Sequence, residues 1–253
     1  MLRSPPPDPK TSESILQDPR YPKAVKLTGI LNKAGSAASV LAFVVLIAKL
    51  FVNLETGWIL SALTLFLIAL IPASMFLIFM FKGLIWYNFR TTVENPSPLI
   101  GIMMTSIALL SVGVTFSFHG HSRLFIVASL LAMIFWLIMM ATTSEFKART
   151  KLDIANMIAF LFIFFVYSYG SLAASNCLFD KKDPASFAVT VTGKNTDNDG
   201  DYFEVLFAPA PGIDKDEMEV TKAFFNAVEP GTVIQLNVKP GLWGCEWLYL
   251  SRM

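Results

Sequence analysis

Long apolar stretches separated by short polar loops fill the middle of the chain. A helix needs about 20 apolar residues to cross about 30 Å of hydrocarbon, because each residue adds about 1.5 Å along the axis. Five stretches approach this length: Ser36 to Leu54, Gly57 to Phe81, Leu99 to Phe118, Leu124 to Ala141, and Ile154 to Ser175. The pattern predicts a membrane α-helical bundle of five transmembrane helices over residues 34–175. Pro72, inside the second stretch, predicts a kink or tilt because it has no backbone donor.

After Ser175 the apolar residues change to a period of two. Alternation of this kind is typical of strands with one buried face, and it recurs in four segments: Phe187 to Val191, Phe203 to Phe207, Met218 to Val220, and Ile234 to Val238. A last short strand is expected at Trp247 to Leu250, and a helical turn near Lys222 to Ala227. Residues 176–253 are therefore predicted to form a small all-β domain, a sandwich or barrel of about five strands.

The first 33 residues are predicted to form a cytoplasmic tail, because prolines are frequent before Lys23. From Lys23 onward, Leu27, Ile30, Leu31 and Ala34 recur at helical spacing beside several lysines. This spacing indicates either a helix on an anionic membrane surface or the first turns of the first span. The sequence leaves both interpretations open.

The distribution of Lys and Arg around the spans predicts their orientation. Eleven basic residues lie before the first span, between the second and third, and between the fourth and fifth, whereas the alternate turns contain only Arg123. Loops rich in Lys and Arg stay in the cytoplasm. We therefore expect a multi-pass protein of the bacterial inner membrane, with a cytoplasmic amino terminus and a periplasmic or extracellular carboxyl terminus. A content of 54% hydrophobic residues agrees with a lipid environment.

Both cysteines lie on the side of the membrane expected to be oxidising. Cys177 follows the fifth stretch, and Cys245 belongs to the last loop, with 67 residues between them. A disulfide between the two is predicted, and closing a loop of this length would stabilise the domain by about 4 kcal/mol. The alternative is a pair of buried thiols.

Three aromatic residues near the carboxyl terminus are candidates for partner binding. Trp243, Trp247 and Tyr249 lie within seven residues, and aromatic side chains commonly anchor protein partners. The same residues also suit the bilayer interface or the domain core.

Metal, cofactor and catalytic chemistry find little support in the sequence. His119 and His121 lack an evident third ligand, and the Asn195–Gly200 turn resembles the start of a calcium loop but has Leu206 where a glutamate is required. We therefore expect no metal site at either place, although weak binding is left open, and we expect no cofactor. Catalytic motifs such as G-x-S-x-G and H-E-x-x-H are missing, so the protein is not expected to be an enzyme. The acidic domain also argues against nucleic-acid binding.

Few ionisable residues lie within the predicted spans, which disfavours a transporter or pump. The third span carries a seam of small residues, Gly101, Thr105, Ala108 and Thr115. Such a seam lets another helix approach closely, either within the bundle or in a larger complex. The oligomeric state is left open.

The architecture resembles small bacterial inner-membrane proteins that carry a periplasmic β domain, among them membrane-resident immunity proteins that neutralise toxins. This resemblance implies a non-enzymatic protein, embedded in the lipid bilayer, whose β domain binds a protein partner. The alternatives are a channel or transporter for a small solute and an accessory subunit of an envelope complex.

Overall fold

The computed structural model describes residues 15–52, 57–82, 84–85, 97–142, 151–197 and 202–253. Among these residues are five long or medium apolar helices: α1 (Tyr21–Val52), α2 (Gly57–Met80), α3 (Leu99–Val114), α4 (Ser122–Thr142) and α5 (Lys151–Leu178). Four of them, α1, α2, α4 and α5, are long and apolar enough to cross a membrane, which confirms that part of the prediction. Helix α3 has only 16 residues and extends for about 24 Å. It is shorter than predicted because the chain leaves the helix at Thr115.

Helix α1 runs without interruption for 32 residues. Residues 21–33 therefore continue directly into the first apolar stretch. Leu27 and Leu31 pack against the buried core of the bundle, whereas Ile30 is 53% exposed. The first helical turns thus contact the other helices through one face only.

The amino end of α3 is capped by a side chain from α1. Pro98 precedes α3 and provides no side-chain cap. Asn32 of α1 provides the cap instead. Its Oδ1 accepts a hydrogen bond from the Gly101 amide at 3.0 Å, and its Nδ2 donates to the Ser97 carbonyl at 2.8 Å. Free amides at a helix start require such partners. A Cβ on Gly35 would lie 3.3 Å from the Gly101 Cα, so these glycines let α1 and α3 approach closely.

The small-residue seam of α3 lies mostly inside the bundle. Gly101, Thr105 and Ala108 are buried, and α3 packs chiefly against α1 and α5. Gly170 of α5 is also closely packed, since a Cβ there would collide with the Leu110 amide nitrogen. Small residues therefore bring α3 close to helices of the same chain.

Pro72 of α2 lacks the N–H that would bond to the carbonyl of Ile68, four residues earlier. In the structure, the hydroxyl of Tyr167 in α5 donates a hydrogen bond to this carbonyl. Tyr167 is only 3% exposed. A side chain from a neighbouring helix thus takes the place of the donor that proline removes.

Among the described residues, five strands of the carboxyl-terminal region and one from the α3–α4 turn form a six-stranded antiparallel sheet. The strands are β1 (Ser117–Phe118), β2 (Ala185–Thr196), β3 (Phe203–Phe207), β4 (Glu217–Glu219), β5 (Val233–Lys239) and β6 (Trp247–Arg252), in the spatial order β1-β6-β5-β2-β3-β4. A short helix, α6 (Lys222–Ala227), joins β4 to β5. All predicted strands and the helical turn are present.

The core of this domain consists of the alternating residues that predicted the strands. Val189, Val205, Phe207, Ile234 and Leu236 are each at most 4% exposed and belong to one cluster. A register shift between Val191 and Gly193 lets β2 pair with β5 through its first half and with β3 through its second. A bulge of this kind bends a strand, so one long strand connects both halves of the sheet.

Strand β1 was not predicted, because its two residues lie at the end of the third apolar stretch. It comes from the turn between α3 and α4 and pairs with the start of β6. The β domain is therefore attached to the helices at two places, by the chain after α5 and by β1. This pairing requires the α3–α4 turn and the carboxyl end of α5 to lie at the same end of the bundle.

Candidate partner-binding site

Polar side chains at the end of α5 hold the last loop of the chain, residues 240–246. Asn176 is fully buried, its Nδ2 donates to the Cys245 carbonyl at 2.7 Å, and its Oδ1 accepts from the Trp243 amide at 2.9 Å. The Asn176 carbonyl also accepts from the Leu242 amide at 3.0 Å. One asparagine thus fixes the loop at three points.

Asp180 binds the same loop two residues after α5. Its carboxylate accepts hydrogen bonds from the amides of Lys182 at 3.0 Å and Gly241 at 2.9 Å, and from the indole of Trp247 at 3.3 Å. Burial alone would raise the pKa of Asp180. The three hydrogen bonds, together with the nearby Lys239 ammonium, outweigh that effect and hold its pKa below the ordinary value of 3.8. The ionised form is therefore the one that the fold stabilises.

Gly241 is required by the close contact between α5 and the loop. Its φ of 73° lies in the left-handed region, and a Cβ there would collide with the Cys245 carbonyl oxygen and with the side-chain amide of Asn176. No side chain fits in this space without displacing the asparagine. We call Asn176, Asp180 and the loop that they bind the junction network.

The predicted disulfide is absent from the structure. Cys177 and Cys245 are each 5% exposed, are not joined to each other, and belong to one buried cluster with Phe118, Leu124 and Leu172. Burial raises the pKa of the Cys245 thiol, although nearby Arg123 opposes this shift. In this structure the loop is held against α5 by the hydrogen bonds of the junction network, without a covalent link between the two cysteines.

The turn before α4 and the first turn of α4 also contact the loop. The amide of His119 donates to the Glu246 carbonyl at 3.0 Å, and the Arg123 guanidinium approaches the Gly244 carbonyl at 3.5 Å. These contacts extend the pairing of β1 with β6. The β domain is therefore held in one orientation relative to the helix ends.

A groove of about 760 Å³ lies between the β domain and the ends of α1 and α3. We call it the junction groove, and its walls include Leu46, Thr115 and Phe116 on the helical side and Met218 to Thr221, Ala223, Phe224, Ala227 and Trp247 to Arg252 on the domain side. Apolar and aromatic side chains alternate with polar ones along it. Such a mixture offers both apolar contacts and hydrogen-bonding groups to a ligand.

Two of the three predicted aromatic residues line this groove. The rings of Trp247 and Tyr249 lie 5.5 Å apart, and Phe116 meets the Trp247 ring edge-on at 5.5 Å. Both side chains are half-buried. The hydrogen bond from the Trp247 indole to Asp180 helps to hold the orientation of the indole.

Trp243 lies elsewhere. Its side chain is 50% exposed, its indole donates to the Ser175 hydroxyl at 2.8 Å, and it borders a different cavity of about 410 Å³ between α2, α4 and α5. The walls of that cavity are largely apolar and include Ile68, Pro72 and Phe135. The structure thus separates Trp243 from the other two aromatic residues.

The two histidines before α4 contact a tyrosine of α5 and the last loop. His121 Nδ1 lies 2.9 Å from the Tyr169 hydroxyl, and the His119 backbone belongs to the contact with Glu246. Part of the Asn195–Gly200 turn, residues 198–200, lies outside the described residues. No group of three or more His, Cys, Asp or Glu suited to a metal occurs within the described ranges.

The sequence reasoning missed the residues that build the junction. Asn176 and Asp180 are polar residues at the very end of a long apolar helix, and a polar group that must be buried needs hydrogen-bond partners. That position was the available signal. Their partners in the loop are more than 60 residues away and could not be identified from spacing.

Family models, curated proteins and solved structures were each compared with the chain, and none matches it. Its function must therefore be inferred from the geometry of the junction and the groove.

Proposed function

We propose that the protein crosses the inner membrane of a bacterium five times and binds a protein partner with its periplasmic β domain. The junction groove carries this proposal. It combines an aromatic wall, Trp247 and Tyr249, with open space between the domain and the helix ends. Aromatic side chains in a groove are frequent anchors for partners.

Two observations support the membrane topology. Because β1 pairs with β6, the α3–α4 turn lies at the same end of the helices as the β domain, as five alternating crossings require. The eleven basic residues belong to the sequence segments that five crossings put on the opposite side of the membrane from the β domain, as expected for cytoplasmic loops. Helix α3 is about 6 Å shorter than a typical hydrocarbon core, and the non-helical residues 115–118 continue from its outer end. A carboxyl-terminal alkaline phosphatase fusion is expected to be active and a green fluorescent protein fusion dark; the reverse would refute this orientation.

The most concrete form of the proposal is immunity, in which the domain neutralises a toxin that reaches the periplasm. The rigid attachment of the domain to the helix ends suits this role, because it presents the groove next to the membrane surface. Deletion of the gene is expected to make the host sensitive to a toxin encoded beside it. Complementation with the Ala227→Trp variant, which fills the groove at an exposed position, is expected to fail.

Two outcomes would contradict the immunity proposal. Unchanged survival of the deletion strain in competition would remove the toxin as the partner. Full complementation by Ala227→Trp would remove the groove as the place of binding. An Asn226→Trp variant serves as the matched control, because Asn226 is an exposed neighbour on α6 that does not line the groove.

The two alternatives receive less support. The interhelical cavity is bordered mainly by apolar residues, which suits a hydrophobic molecule rather than an ion or polar solute. The small-residue seam of α3, which would suit docking into a larger complex, is mostly buried within the chain. Partner binding by the β domain is therefore the proposal that the geometry favours.

A further inference from the structure

Only part of the outer edge of β6 is covered by another strand. Ser117 and Phe118 of β1 pair with Leu248 and Trp247. The rest of β6, from Tyr249 to Arg252, pairs with β5 on one side and has no partner strand on the other side among the described residues. This open part of the edge lines the junction groove.

The direction of the open hydrogen-bonding groups follows from the strand geometry. The Glu246 carbonyl accepts from the His119 amide, so it points towards β1. Backbone groups alternate in direction along an antiparallel strand, so the N–H and C=O groups of Leu248, Leu250 and Arg252 point the same way. Leu248 pairs with Ser117. The backbone N–H and C=O groups of Leu250 and Arg252, further along the strand, face the groove.

Strand β4, at the other end of the sheet, has no further strand beside it among the residues that the structure describes, and it borders the same groove. The Asp216 carbonyl and the Val220 amide bond to β3, so the backbone groups of Glu217 and Glu219 in β4 point away from β3 by the same alternation. Glu219 and its neighbours Met218 and Val220 line the groove. Strands β6 and β4 therefore present their edges on the two sides of the groove.

We infer that the partner binds as an extended segment, which adds to the open edge of β6 and lies in the junction groove. This inference rests on the proposed function, in which a protein partner occupies the groove. It continues an interface that the molecule already contains, because β1 is a segment from elsewhere in the chain that adds to the same edge. Strand addition of this kind supplies affinity through main-chain hydrogen bonds.

The walls of the groove define the chemistry of the segment. Leu250, Met218 and Phe224 belong to or pack against the domain core and also line the groove, so side chains on the inner face should be apolar. The domain carries twelve acidic and seven basic residues, a net charge of about −5.

Acidic side chains are concentrated beside β4. The hydrogen bond from Tyr202 to Glu204, together with burial and the nearby carboxylates of Glu204, Glu219 and Glu217, raises the pKa of Tyr202 to about 12. The charged side chains that line the groove are Glu219 and Arg252. Because the domain as a whole carries a net charge of about −5, basic residues are favoured on the part of the segment that lies beside Glu219. The expected segment alternates apolar and basic residues.

The test uses the full-length protein in lipid nanodiscs and a displayed library of random ten-residue peptides. Peptides with alternating apolar and basic residues are expected to be enriched, and their affinities are then measured for protein variants. Arg252→Pro removes an N–H that faces the groove, whereas Arg252→Ala removes the same charge and keeps the N–H. We expect Arg252→Pro to bind about fivefold more weakly than Arg252→Ala, the effect of about one hydrogen bond. Thermal unfolding of both variants confirms that they fold.

A second measurement does not depend on the proline variant. Single N-methyl groups placed along a selected peptide are expected to abolish binding at alternate positions only, because the amides of an added strand alternate in direction. Loss of binding without this period of two, or no difference between Arg252→Pro and Arg252→Ala, would overturn strand addition. Failure to enrich any peptide would overturn it as well.

The Ala227→Trp variant separates this inference from the proposed function. Weaker binding by Ala227→Trp, without the period of two, would keep the groove as the binding site and exclude only the strand. Unchanged binding by Ala227→Trp would exclude the groove, and the inference would fail together with it.

Discussion

The hydrogen bond between Tyr167 and the Ile68 carbonyl gives the sharpest test of the helical region. Tyr167→Phe removes the hydroxyl and leaves the ring in place. The ring is 3% exposed and packs edge-on against Phe135 at 5.7 Å, so water cannot easily replace the lost donor. The Ile68 carbonyl then lacks a partner, because Pro72 cannot supply one.

The magnitude follows from the cost of one unsatisfied buried acceptor. Such a group costs about 1–3 kcal/mol in proteins, whereas hydrogen bonds between membrane helices average about 0.6 kcal/mol and reach about 1.7 kcal/mol. We therefore expect Tyr167→Phe to lower the free energy of unfolding by about 1 kcal/mol. In a Pro72→Ala background the new amide at position 72 can bond to the Ile68 carbonyl. There the same substitution should cost less than about 0.5 kcal/mol, half of the single-mutant effect.

The assay is reversible unfolding of the detergent-solubilised protein by sodium dodecyl sulfate, followed by circular dichroism, for the four proteins of the double-mutant cycle. Tyr169→Phe is the matched control, because its hydroxyl lies beside His121 and not beside Pro72. Its effect should be equal in both backgrounds. If Tyr167→Phe also costs the same in the wild-type and in the Pro72→Ala background, the hydroxyl does not replace the missing proline donor, and the reasoning is refuted.

Three further predictions concern the junction network and the cysteines. Asp180→Asn should lower thermal stability at pH 7. Because the pKa of Asp180 in the folded protein is lowered from 3.8, the stabilisation by the carboxylate is complete above about pH 5 and disappears as the pH falls through the folded pKa. Melting curves of the two proteins that differ equally at about pH 7 and about pH 2.5 would contradict this prediction. Gly241→Ala should lower the free energy of unfolding by more than about 2 kcal/mol, because the clash with the Cys245 carbonyl oxygen adds to left-handed strain of about 1 kcal/mol. Gly231→Ala is the control, since Gly231 has a φ of 91° but open space around it, and it should show the strain alone in denaturant titrations. Equal losses of stability in the two variants would refute the clash. Both Cys177 and Cys245 are buried and not joined, so a maleimide should label neither in the native protein and both after unfolding without reductant; labelling that requires reductant would show a disulfide instead.

Local patterns in the sequence predicted the main elements well. The alternation of Phe203, Val205 and Phe207 predicted β3, because the inward residues of a strand repeat every two positions whatever the remaining fold. The apolar stretch from Ile154 to Ser175 likewise predicted most of α5, which runs from Lys151 to Leu178. Both signals depend on neighbours in sequence and on the solvent that each face contacts.

The shorter α3 and the strand β1 show where local patterns fail. Residues 115–118 are apolar enough to continue the helix, and the predicted third span therefore extended to Phe118. In the structure, Ser117 and Phe118 pair with β6, and Phe118 is 6% exposed. An apolar residue is buried equally well in a helix or beside a strand, and a distant segment decides between the two.

The cysteines and aromatic residues show the same limit at the candidate site. Chain position predicted a disulfide between Cys177 and Cys245, and this prediction was wrong, because the two thiols lie in one buried cluster without being joined. Asn176 and Asp180, which hold the loop, were not predicted. Nor could chain position show that Trp243 borders a different cavity from Trp247 and Tyr249.

The sequence by itself determined the apolar helices, the strands and the acidic character of the domain, because periodicity, hydrophobicity and charge act over short distances along the chain. The tertiary structure decided how the domain is attached and what it leaves open. Contacts such as Asp180 with Gly241, 61 residues apart, set the orientation of the domain. The edge of β6 is partly covered only because β1, from the turn between two helices, reaches it. Hydrogen bonds across such distances depend on the packing of the whole chain, and the junction groove is a consequence of that packing.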